Sequence, residues 1–135
     1  MSRLLACLLL LAFSESAASS APTPPRAPAL TWVFDTHEDK QLIPHGKVFL
    51  KVGTRRVLIE PKAEFLFQPV GRADYKQHKV PVSALAACSG WFAGGGEDMY
   101  VIQRRNSLRV YRRWTDEQAP EFHYKLIRTI TLPSR

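Results

Sequence analysis

Met99-Tyr100-Val101-Ile102-Gln103, then Arg104-Arg105-Asn106-Ser107, then Leu108-Arg109-Val110-Tyr111-Arg112-Arg113-Trp114 is the stretch that decides the fold. Two runs of β-branched and aromatic residues flank a polar turn, the pattern of an antiparallel hairpin. With Gln103 opposite Leu108, Val101 meets Val110 on one face, and Tyr100 meets Tyr111 on the other. Ile102 and Arg109 then share the tyrosine side, with Arg113 beyond. The valine face is expected to enter the core and the tyrosine face to form an aromatic and cationic surface.

Just upstream lies Ser89-Gly90-Trp91-Phe92-Ala93-Gly94-Gly95-Gly96-Glu97-Asp98. Three consecutive glycines free the backbone for positive φ, and their N–H groups suit an anion. A phosphate loop also needs a following helix and a Lys-Ser or Lys-Thr pair. Here a strand follows, and Glu97-Asp98 would repel phosphate. The expectation is a loop beside Trp91 and Phe92 that presents a contact surface. The candidate binding residues are therefore Trp91, Phe92, Gly94, Gly95, Gly96, Tyr100, Arg104, Arg109, Tyr111 and Arg113.

Working outward, Lys47 to Val52 and Arg56 to Glu60 make a second hairpin around Gly53-Thr54-Arg55. Trp32-Val33-Phe34 and Phe65-Leu66-Phe67 are short strand candidates, the latter ending at Pro69, and Asp35 to Lys40 reads as a polar turn. Phe122 to Leu132 alternates, so Phe122, Tyr124, Leu126, Ile130 and Leu132 are expected on one face. Val80 to Cys88 is the one helix candidate, with a buried strand as its alternative. The predicted class is mainly β: a small antiparallel β-barrel or β-sandwich with at most one short helix.

The N-terminus is of another kind. Arg3, an apolar run from Leu4 to Phe13 and a tail of small residues to Ala21 form a secretory signal peptide, with cleavage after Ala18 or Ala21. The run is too short to span a bilayer as a helix. Residues 1–21 are thus assigned to the signal, 22–29 to a proline-rich spacer and 30–135 to a single β-rich domain, secreted or periplasmic, with no transmembrane segment after cleavage. Cys88 is then the only cysteine left, so no internal disulfide forms, and its Ala-rich approach predicts burial.

With 19 Lys and Arg against 12 Asp and Glu, the 135-residue chain carries a formal charge of +7. That balance favours acidic partners. Export points to an acidic protein or a polyanionic envelope component, with no physiological nucleic acid. Catalytic signatures are absent: neither Gly-x-Ser-x-Gly nor His-Glu-x-x-His occurs. Asp35, His37 and Asp39 would point the same way on an extended chain, but they lack a fourth metal ligand at a matching spacing. Carboxylate pairs for glycoside chemistry, such as Glu97 or Asp98 with Asp116 or Glu117, are what any chain with a dozen acids offers. The expectation is an exported binding or interaction module without catalytic residues, metal or cofactor. A small secreted enzyme inhibitor would share these features, and a Cys88-dependent hydrolase is the alternative from another class.

Overall fold

The computed structural model describes residues 23–92, 95–116 and 119–134. The chain is mainly β and forms two antiparallel sheets. The first contains β1 (Leu30–Glu38), β2 (Pro44–Val52) and β3 (Arg55–Glu60) in sequential order. The second contains β4 (Phe67–Pro69), β5 (Ala86–Phe92), β6 (Gly95–Arg104), β7 (Ser107–Asp116) and β8 (Ala119–Thr131), again in order.

Alternation along the strands builds the core between the sheets. Val48, Leu50, Val57 and Ile59 from the first sheet join Phe67, Cys88, Met99, Val101, Leu108, Val110 and Ile130 from the second, all buried. Burial of each large apolar side chain contributes about 1.5–3 kcal/mol, which is the main source of stability in a domain whose only described cysteine is a free thiol.

The hairpin of β6 and β7 has the expected register: Gln103 pairs with Leu108, Val101 with Val110, Tyr100 with Tyr111 and Ile102 with Arg109. The tyrosine face, however, is not a surface at its centre. Residues 70–85 cross it between β4 and β5, and Tyr75, Val80, Ala84, Ala87, Tyr100 and Ile102 form a second buried cluster there. Backbone bonds fix this cover, from Val70 N–H to Ala87 O at 2.9 Å and from Leu85 N–H to Val101 O at 2.8 Å. Burial on both faces explains why Met99 to Ile102 is a continuous apolar run rather than an alternating one.

Four local expectations change. Residues 81–85 turn, with Ala84 N–H on Pro81 O at 2.9 Å, and β5 starts at Ala86, so the helix candidate resolves into a turn and a buried strand. The described helical content is one 3-10 turn, Arg72–Asp74. β1 continues through Asp35 to Glu38 because it pairs with β2 along that whole length, and β4 begins only at Phe67. In β8 the register shifts where Val110 pairs with Arg128 but Tyr111 pairs with Leu126. The extra residue, Ile127, splits the expected apolar face: Ile130 and Leu132 stay buried, whereas Tyr124 and Leu126 are exposed on the other side. The proline-rich spacer also makes contacts of its own. Ala27 packs on the core, and Gln103 Nε2 donates to Pro25 O at 2.6 Å.

Candidate functional site

The glycine loop leads into β6 rather than standing clear of it. Trp91 on β5 pairs with Gly96 on β6, and Phe92 with Gly95. A side chain at Gly96 would come within 2.3 Å of the Trp91 ring. The ring therefore lies flat on the Gly96 backbone, and close approach is what requires glycine there. Trp91 Nε1 donates to Ser89 Oγ at 2.7 Å, which fixes a ring that is still 54% exposed. Gly94 lies outside the described residues.

The arginines expected to share one surface are divided. Arg104 and Arg109 are exposed at and beside the β6–β7 turn. Arg113 is buried and pairs with Asp98, directly opposite on β6. His78 Nδ1 stands 3.4 Å from the second Asp98 carboxylate oxygen, a contact that becomes an ion pair when the imidazole is protonated. The Arg113 guanidinium also lies over the Phe122 ring at 4.3 Å, and Lys79 lies 4.9 Å from the same ring. Tyr100 and Tyr111 stack at 5.5 Å under the covering segment. These contacts hold the sheet together and leave Arg113 and Tyr100 little surface for a partner.

Glu97 points to the other face of β6, toward the inter-sheet core. Arg112 Nε is 2.8 Å away, in an ion pair with Glu97 Oε1. Burial pushes the Glu97 carboxyl up to about 7 against the pull of Arg112, and Glu60 and Glu64 add to the rise. Glu97 and Asp98 thus occupy opposite faces of β6, and of the acids considered as their partners Glu117 lies outside the described residues. Cys88 is fully buried opposite Met99, and burial raises its thiol pKa well above the ordinary value. That is the environment of an unreactive thiol.

A different basic surface forms on the outer face of the first sheet. Cross-strand pairing lines up Thr31, Lys51 and Arg56 in one row and Val33, Phe49 and Leu58 in the next, with Asp35 opposite Lys47 and His37 opposite His45 beyond. Lys47, Lys51 and Arg56 are exposed, and the Arg56 guanidinium lies 4.2 Å over the Phe49 ring. The signal was present in Lys47-Val48-Phe49-Leu50-Lys51-Val52, where cation, ring and cation alternate with the three aliphatic residues that face the core.

At the end of this face the β1–β2 loop is tightly organised. Asp39 Oδ1 accepts from the N–H groups of Gln41 at 2.8 Å and Ile43 at 2.9 Å, and Asp39 Oδ2 is 2.8 Å from His45 Nε2. The Ile43 N–H, followed by His45, holds the Asp39 carboxyl below its usual range. Asp39 is thus bound into its own loop, and among the described residues no three His, Cys, Asp or Glu side chains gather as a metal site would require. Elsewhere, a cavity of about 350 Å³ lies between Pro25–Pro28 and Leu132–Ser134, with Arg26 as its one charged lining residue. Comparison with known family models, with curated proteins and with solved structures gave no match.

Proposed function

We propose that this chain is an exported, non-catalytic binding module that holds a polyanionic envelope component on the outer face of β1, β2 and β3. The observation that carries the proposal is the group of Lys47, Lys51 and Arg56 around Phe49 and Leu58 on one face, where the three cations and Leu58 are exposed. Cations spread over a sheet attract a polymer of negative charge, and the exposed Leu58 beside the half-buried Phe49 ring adds apolar contact once it has arrived. Two sheets facing across one core support an open sandwich as the scaffold. Export is supported by the signal-like N-terminus, and no helix among the described residues is long and apolar enough to cross a membrane.

The test is retention of the mature protein on an immobilised polyanion across a salt gradient. The triple variant K47E/K51E/R56E is expected to elute at far lower salt than the parent, while R104E/R109E elutes near it. The opposite order would move the site to the β6–β7 hairpin, and retention unaffected by either would end the proposal. N-terminal sequencing of the exported protein is expected to begin at Ser19 or Pro22.

A further inference from the structure

We infer that the anionic component is a lipid bilayer, and that Leu42 and Ile43 at the tip of the β1–β2 loop enter its interface while the outer face of the first sheet lies on the headgroups. This rests on the proposed anion-binding face and goes further by naming what the face meets.

Two aliphatic side chains stand out at the tip. Leu42 is 63% exposed and Ile43 49%, side by side on a loop that is rigidly closed. Asp39 makes the closure: its carboxylate takes the Gln41 and Ile43 N–H groups, its carbonyl takes Leu42 N–H at 3.0 Å, and its own N–H donates to Ile43 O at 3.0 Å. Leu42 sits at φ 62, the left-handed region where glycine or asparagine is favoured. A loop selected only to join two strands would place one of those residues there. Leucine at that position costs local strain and keeps an apolar side chain pointed at water, and such strain gathers where a contact is made.

Charge continues from the tip along the face. Lys40 is in the loop, His37 and His45 follow with ring centroids 6.0 Å apart, and then come Lys47, Lys51 and Arg56. Three acidic residues stand beside this row: Asp35 opposite Lys47, Glu38 at the end of β1, and Asp39, whose carboxylate is 2.8 Å from His45 Nε2 and is engaged within its own loop. Lys47 and Lys51 are about 14 Å apart along the strand, enough to reach several headgroups. A soluble acidic polymer has no use for an exposed Leu-Ile pair. A bilayer interface accepts both parts, aliphatic groups at the acyl boundary and cations among anionic headgroups.

The experiment is co-sedimentation of the mature protein with phosphatidylcholine vesicles and with vesicles containing roughly one third phosphatidylglycerol, set against binding to soluble polyphosphate. Binding to the anionic vesicles is expected to exceed binding to phosphatidylcholine at least tenfold. Leu42→Asn with Ile43→Thr keeps a residue suited to the left-handed position. It is expected to weaken vesicle binding about tenfold and to leave polyphosphate binding within about twofold, whereas K47E/K51E/R56E loses both. An Ile43→Cys protein carrying a polarity-sensitive dye should shift to the blue on anionic vesicles and stay unchanged with polyphosphate, since Cys88 is buried and unlabelled. Polyphosphate binding without vesicle binding, an unaffected tip variant, or equal binding to phosphatidylcholine would overturn the bilayer inference and leave the anion-binding proposal standing. Binding to neither would overturn both.

Discussion

Arg113 and Glu97 are two buried charges on adjacent strands, and their surroundings give them opposite consequences. Arg113 neutralises Asp98 inside the sheet, so Arg113→Ala leaves a buried carboxylate without its counter-ion and is expected to cost about 3–5 kcal/mol in urea unfolding. Arg109→Ala, at an exposed position on the same strand, should stay within about 0.5 kcal/mol. Glu97 is held toward its protonated form, with a folded value of about 7 against 4.5 ordinarily. The folded chain binds that proton more tightly than the unfolded chain, so the contribution to stability is complete below pH 4.5. It declines as pH rises toward 7 and levels off above. Thermal unfolding across that range should show this fall in the parent and a flatter profile in Glu97→Gln. Neither role was legible in the sequence, where Glu97-Asp98 and Arg112-Arg113 are simply two pairs of like charges. The sequence puts Glu97-Asp98 in the glycine loop; because β6 begins already at Gly95, the register carries back to set Asp98 opposite Arg113 and send Glu97 and Arg112 to the other face, which sorts them into ion pairs.

At the scale of the elements, the β6–β7 hairpin could be read to the residue because its pairing runs without a bulge from Glu97 opposite Trp114 to Arg104 opposite Ser107 and its turn is short. What that reading lacked was the cover. Residues 70–85 mix polar and apolar residues evenly, and of those that matter Tyr75 stands alone among polar neighbours while Val80 and Ala84 fall in the stretch read as a helix candidate. A surface was therefore expected where a second core exists. Tyr75→Ala should remove about 2–4 kcal/mol of stability in denaturant unfolding, whereas Tyr124→Ala, at an exposed aromatic of β8, should change it by less than about 0.5 kcal/mol. Equal losses at both positions would mean the segment does not cover the sheet. The bulge at Ile127 escaped for a related reason: one inserted residue leaves composition and average hydrophobicity untouched while it exchanges the faces of half a strand.

For the molecule as a whole, turns at close intervals and the lack of helical periodicity made the mainly β class legible. Division into two sheets was not, since pairing is interrupted only in the irregular stretch between β3 and β4, which carries no distinctive marker. The lone thiol reports on the finished core: Cys88 should resist labelling in the native protein at neutral pH and react readily in denaturant, and fast native labelling would show that the sheets do not close over it. Pro25–Pro28 and Leu132–Ser134 line one cavity. Both ends of the described chain leave the fold together, and the N-terminal one enters β1 at the pole opposite Leu42, about 30 Å along that strand. A reporter fused at the C-terminal end is joined next to Ser134, at the pole away from the loop tip, so a cargo can be displayed without obstructing whatever the tip meets.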